Sequence, residues 1–114
     1  MGKLFLARDV AHSVHLSTRS YSKHKALGKF YPALIELADT FAEAYQGRYG
    51  LIGTIELQSS DNAKNIVSFL ENSLKEIEEM RGAVVKKDDT ALQNILDEII
   101  GLYLSTLYKL KYLA

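Results

Sequence analysis

A chain of 114 residues, 47% of them hydrophobic, has the size and composition of one domain with one core. The charges of its fourteen basic and fourteen acidic side chains cancel, so direct nucleic-acid binding is not expected. The absence of cysteine excludes disulfides and thiolate metal sites, which leaves His and carboxylates as the ligands for any metal. Arg8 and Asp9 interrupt the apolar start before it reaches signal-peptide length, and no run reaches the roughly 18 apolar residues of a membrane span, so we expect a cytoplasmic protein without a membrane segment.

The spacing of apolar residues predicts two helices in the first half of one domain over residues 1–114. The first helix is expected from about Lys3 to Ser17. The second is expected to begin at an N-cap provided by Ser20 or Ser22 and to continue to Gly47. Pro32 lies inside the second helix, where it removes one backbone hydrogen bond, and therefore predicts a kink or a restart.

Two further helices are predicted in the second half, after a glycine-containing connection over residues 47–60 that we expect to be partly extended. The third helix should start at Ser59 or Ser60, followed by Asp61 and Asn62, and end at residues 81–82. The fourth should run over residues 90–112, after Asp88 and Asp89. Two topologies remain open: an up-down-up-down bundle, and one in which a long crossover places the third helix parallel to the second.

The candidate metal ligands lie on the first two helices. They are the three histidines of the chain and an acidic stripe later on the second helix, namely His12, His15, His24, Glu36, Asp39 and Glu43. Asp39 follows His24 by fifteen residues, which is about 22 Å along a continuous helix, so one metal cannot touch both within one chain. A site that uses both would span two copies, as in an antiparallel two-fold pair of second helices. The alternative is that these residues form ordinary core and solvated faces.

This pattern resembles the Dps-type miniferritins of the ferritin-like superfamily, whose signature places a second His twelve residues after the first and an Asp-x-x-x-Glu later in the second helix. Here His12 and His24 are twelve residues apart, and residues 37–43 resemble the Asp-containing stretch. Residues 50–54 and 89–100 are similar to further family segments. The chain departs from the family at Ser13, where Trp is usual, and at Gly28, where an acidic ligand is usual.

The resemblance implies an all-α, ferritin-like four-helix bundle with a short connection between the second and third helices. It also implies iron as the cofactor, an oligomer that is at least a two-fold dimer, and oxidation of Fe(II) by a ferroxidase centre shared between subunits. His12 and His24 would come from one subunit, and Asp39 and Glu43 from its mate. His15 is a secondary candidate ligand or a hydrogen-bonding residue near the turn, and Glu36 is a second secondary candidate.

A weaker similarity is to short, uncharacterised helical proteins of tailed phages, which share the His-rich first segment and the Phe-Tyr, Asp and Glu pattern. It supports a different hypothesis, a metal-free helical interaction or structural protein encoded by a phage. Tyr31 is open to both hypotheses, because it could hydrogen-bond near a metal site or pack in the core.

Overall fold

The computed structural model describes residues 1–59 and 65–113, and within these residues it contains four helices and no strand. The helices are α1 (Gly2–Ser17), α2 (Tyr21–Tyr49), α3 (Ile66–Val84) and α4 (Thr90–Tyr112). The predicted all-α architecture of four helices is therefore confirmed. Among the described residues, no helix is both long enough and apolar enough to cross a membrane.

Ser20, one of the two predicted caps, is the N-cap of α2, and Asp89, predicted to precede the fourth helix, is the N-cap of α4. Ser20 Oγ accepts a hydrogen bond from the backbone N–H of Lys23 at 3.3 Å, and the Asp89 carboxylate accepts one from the backbone N–H of Leu92, also at 3.3 Å. Each bond satisfies a donor that the first turn of a helix leaves without a partner. The starts of α2 and α4 are therefore determined by local sequence.

The boundaries of α2 and α3 differ from the prediction. The predicted restart at Pro32 is wrong, because α2 continues through it to Tyr49. The start of α3 is also later than predicted: Ser59 is not helical, and Asn65 is the N-cap, its side chain accepting from the N–H of Ser68 at 3.1 Å. The other predicted starting residues, 60–62, lie outside the described residues. At its other end α3 passes Gly82 and reaches Val84.

The order of the helices around the bundle is α1, α2, α4, α3, so α2 and α3 lie diagonally opposite each other. The end of α2 meets the start of α4, where Arg48 Nε contacts Asp89 Oδ2 at 2.8 Å. The start of α1 and the end of α3 meet at the same end of the bundle, where Leu4 and Val84 line one groove. Consequently α2 and α3 run parallel, and the up-down-up-down alternative is wrong.

The connection after α2 lies, as far as its described residues 50–59 go, on the side of α1 and α3. The Glu56 carbonyl oxygen lies so close to Gly2 that a Cβ there would be 2.5 Å from it. Gln58 lies beside Lys3 and Glu76, which form an ion pair between α1 and α3. This crossover therefore packs over α1, while α4 lies on another side of the bundle.

The core is centred on Tyr103, which is fully buried on α4. Its ring meets Phe30 edge-on, with centroids 5.1 Å apart, and its hydroxyl hydrogen-bonds to Ser73 Oγ at 2.8 Å. Burial raises the pKa of Tyr103 to about 12, an effect that the hydrogen bond from Ser73 opposes and the charge of Glu76 reinforces. Three helices, α2, α3 and α4, thus share one aromatic and polar contact in the core.

Candidate functional site

The three histidines gather where α1 ends and α2 begins. The rings of His15 and His24 stack with centroids 3.8 Å apart and an interplanar angle of 16°. Each ring faces the backbone of the other: His15 Nδ1 lies 2.6 Å from the His24 carbonyl oxygen, and His24 Nδ1 lies 2.8 Å from the His15 carbonyl oxygen. Because a carbonyl oxygen only accepts, both Nδ1 atoms donate, and in the neutral rings Nε2 is the unprotonated nitrogen.

This reciprocal pair, which we call the histidine clasp, has a structural role. The carbonyl of His15 is one of the last four in α1, which have no partner within the helix. The ring of His24 supplies that partner from the following helix. The clasp therefore caps α1 and fastens it to the first turn of α2.

Gly28 makes room for the clasp. A Cβ at this position would lie 2.8 Å from His15 Cε1, closer than an unstrained contact allows. The ring of His15 thus fills the space of a side chain at position 28, where the Dps-type miniferritins have an acidic ligand. Next to the clasp, the ring of His12 stacks on Tyr31, with centroids 4.2 Å apart and an interplanar angle of 13°.

The predicted acidic ligands lie elsewhere on α2. Asp39 and Glu43 are exposed, and at 1.5 Å per residue Asp39 is about 22 Å along the helix from His24. Glu36 is also exposed, and its carbonyl accepts a hydrogen bond from Thr40 Oγ1 at 2.9 Å. Over residues 1–59 and 65–113 of one chain, no three His, Asp or Glu side chains are grouped to hold a metal ion. The shared site built from two copies stays a prediction.

A groove opens at the opposite end of the bundle from the histidine clasp. Its volume is about 220 Å³. Its lining comes from all four helices and from the crossover and is mostly apolar: Met1, Gly2, Lys3, Leu4, Phe41, Gln58, Ile77, Met80, Arg81, Val84, Val85 and Leu96. Met80 and Val84 stand partly open to solvent, with 43% and 40% of their surfaces exposed. We call this surface the end groove.

Arg81 is the basic side chain of α3 at the end groove, and it is already engaged. Its Nη2 contacts Asp97 Oδ1 at 2.7 Å and donates to the Gln93 carbonyl at 3.2 Å, and its Nε donates to the Gln93 side chain. These bonds hold the guanidinium against α4. The end groove is therefore suited to apolar groups rather than to an anion.

Comparison with known proteins places the chain in a family. Residues 15–110 match the model described as Family of unknown function (DUF5856). The chain belongs to DUF5856. Over 113 residues it is also 30% identical to the "Uncharacterized 14.6 kDa protein in mobD-ri intergenic region" of Enterobacteria phage T4, an alignment that covers 99% of this chain and 83% of the phage protein. No solved structure matches.

Membership of DUF5856 favours one of the two hypotheses drawn from sequence. The phage relative supports the likeness to small phage proteins, and neither finding supports the resemblance to Dps-type miniferritins. The family match contains the histidine clasp but begins after His12. Of the residues named from sequence, His12, His15, His24 and Tyr31 are brought together, whereas Asp39 and Glu43 are not.

Sequence reasoning missed the end groove. The sequence predicts that the third helix ends at residues 81–82, which would place Val84 beyond it. One feature of the sequence could have indicated the longer helix: residues 83–85, directly after the predicted end of the third helix, are all apolar. A helix that ended at Gly82 would leave Val84 and Val85 outside any apolar helical face. With α3 extended to Val84, these residues line the groove instead.

Proposed function

We propose that this chain is a phage-encoded, metal-independent interaction protein that holds an apolar segment of another protein in the end groove. The observation that carries the proposal is the groove itself, an apolar surface formed at the point where all four helices meet the crossover. The relationship to a phage protein supports the phage origin. Contiguous exposed apolar surface is typical of protein-binding sites.

The size of the end groove favours a protein side chain as its occupant. Pockets for small molecules usually enclose roughly 300–1,000 Å³, whereas the end groove measures about 220 Å³. That volume suits one or two large apolar anchors, such as those on one face of an amphipathic helix. Met1 and Met80 lie in the lining, and methionine adapts its shape to different apolar partners.

The test uses a photo-cross-linkable amino acid placed at Val84 in phage-infected cells. The matched control carries the same amino acid at Leu16, which is 70% exposed at the opposite end of the bundle. We expect one discrete protein adduct from position 84, none from position 16, and loss of the adduct when Met80→Lys is added. Circular dichroism checks that this variant is folded. Equal adducts from both positions, or an adduct insensitive to Met80→Lys, would contradict the proposal.

A second candidate is the iron site shared between two copies, in a ferritin-like bundle. One observation favours it: the Nδ1–H of His24 is held by a backbone carbonyl, which leaves Nε2 for a metal, as in most metal-ligating histidines. The single long crossover is also a feature of ferritin-like bundles. In this candidate His12 and His24 of one copy would bind Fe(II) with Asp39 and Glu43 of the other.

Iron loading separates this candidate from the end-groove proposal. After anaerobic Fe(II) loading and desalting, elemental analysis should find iron in the parent, and His24→Ala and Asp39→Ala should each abolish it. The control is Glu78→Ala, an exposed acid on α3. If the parent retains no iron, or all three variants retain as much as the parent, the shared site is wrong and the end-groove proposal is unaffected. Fe(II) oxidation by peroxide or oxygen then tests for ferroxidase activity.

A further inference from the structure

The outer face of α4 carries large apolar side chains that no described residue covers. Leu104, Tyr108 and Tyr112 are 54%, 56% and 72% exposed. An α-helix turns by about 100° per residue, so these three residues lie with Asp97 and Gly101 within an arc of about 80° around the helix axis. We call these five residues the α4 face. It lies on a different helix from the α2 pairing that an iron site would need.

Gly101 provides an open position in the middle of the α4 face. No atom lies within 4 Å of the place where its Cβ would be. Glycine inside an exposed helix is destabilising relative to alanine, and the fold around Gly101 contains no close contact that requires it. A second helix packed against the α4 face would gain close approach at this point.

An antiparallel copy of α4 fits this open position. Let Leu104 of one copy lie opposite Leu104 of the other. Tyr108 is four residues after this centre and Gly101 is three residues before it. In an antiparallel pair, Tyr108 of each copy therefore falls beside Gly101 of its mate, to within one residue. A large aromatic side chain is thus placed over a helix surface without a side chain. The two contacts are identical, as a two-fold axis requires.

The charges on α4 are complementary in the same register. The acids Asp97 and Glu98 lie in its first half, and the bases Lys109 and Lys111 lie in its second half. In the antiparallel pair, Asp97 falls opposite Lys111 of the mate, and Glu98 falls one residue away from Lys109 of the mate, with each pair on the same flank. A parallel pair would instead place acid beside acid and base beside base.

Two of these charges already form ion pairs within the chain. Asp97 contacts Arg81 at 2.7 Å, and Lys111 contacts Glu71 at 2.7 Å. Both pairs join α3 to α4, so they hold the flanking charges in position along one edge of the α4 face. Alternating charges would then continue across the contact between two copies as a network.

We propose that the α4 face binds a second copy of this chain, antiparallel and two-fold symmetric, with its centre at Leu104. Tyr108 acts as the main apolar anchor, because it meets Gly101 of its mate. Tyr112 extends the contact towards its edges, and the charged pairs determine the antiparallel direction. The inference is independent of the end-groove proposal, because it concerns the side of α4 and not the end of the bundle.

The first test is sedimentation velocity of the full chain over a range of concentrations. We expect a dimer, and we expect Tyr108→Glu to weaken it by roughly 30-fold or more, because a central aromatic anchor is lost from each copy. The matched control is Tyr21→Glu, which changes another exposed tyrosine at the start of α2 and should leave the dimer intact. A monomer at all concentrations, or a dimer insensitive to Tyr108→Glu, overturns the proposal.

The second test is a charge exchange that only an antiparallel pair can tolerate. Glu98→Lys and Lys109→Glu should each weaken the dimer about tenfold, since each brings two like-charged pairs together. The double variant should recover parental affinity. Positions 98 and 109 are eleven residues apart in one helix, about 16 Å, so the rescue cannot arise within one chain. If the double variant loses as much dimer affinity as the two single variants lose together, this register is rejected.

Discussion

Substitution of Gly28 by alanine tests whether the His15 ring of the histidine clasp packs directly against the α2 backbone at this position. In an exposed helix, Gly→Ala normally stabilises by about 1 kcal/mol. Here the new Cβ would lie 2.8 Å from His15 Cε1. The ring has little freedom to move away, because it stacks on His24 and donates to the carbonyl of His24.

The magnitude follows from these opposing effects. Forcing an extra methyl group into a filled space typically costs about 1–3 kcal/mol, and displacing the ring from its hydrogen bond costs about 0.5–1.5 kcal/mol. We therefore expect Gly28→Ala to destabilise the parent by about 1 kcal/mol despite the gain in helix propensity. In a His15→Ala background the same change meets no ring and should stabilise by about 1 kcal/mol.

The assay is urea unfolding followed by circular dichroism for the parent, both single variants and the double variant. The resulting double-mutant cycle should give a coupling energy of about 2 kcal/mol between positions 15 and 28. If Gly28→Ala stabilises both backgrounds equally, within about 0.5 kcal/mol, the two residues act independently. The close contact between His15 and Gly28 would then be refuted.

Two further predictions concern the ends and the core of the bundle. Asp89→Ala should lower the free energy of unfolding by about 1–2 kcal/mol, because it removes both the N-cap of α4 and the ion pair with Arg48, whereas Asp89→Asn, which retains a capping oxygen, should cost less in the same urea titration. For Tyr103, the unfolded side chain ionises near pH 10 and the buried one at about 12. Because the folded protein holds this proton more tightly, the contribution of Tyr103 to the free energy of unfolding is complete below pH 10. That contribution falls by about 1.4 kcal/mol per pH unit from pH 10 to about pH 12. Tyr103→Phe should lack this part of the decline; equal slopes for parent and variant between pH 9 and 12 would contradict the assigned burial.

Local patterns in the sequence were sufficient to predict the four helices. Apolar periodicity identified each one. Ser20 is one of the two caps predicted for α2, and α4 starts at the predicted Thr90, directly after Asp89, which caps it. The start of α3 was missed because several polar residues before Ile66 could each serve as a cap. Only the bond from Ser68 to the side chain of Asn65 distinguishes among them.

Contacts between distant segments could not be predicted in the same way. The histidine clasp depends on the angle and distance at which α1 and α2 meet, because each ring must reach the backbone of the other helix. Spacing placed His15 and His24 on either side of a turn but did not specify their stacking. The end groove depends on the direction of α3, which helical periodicity alone leaves open because both directions bury the same face.

The crossover has a consequence for how family members can differ in length. The connection between α2 and α3, of which residues 50–59 are described, joins two helical hairpins that already pack against each other through α1 with α3 and α2 with α4. The connection therefore has to span the molecule but does not have to form a helix of its own. Doubling the length of such a loop costs only about 0.6 kcal/mol of closure entropy. Relatives can thus lengthen or shorten this segment while the helices, and the end groove that they enclose, keep their positions.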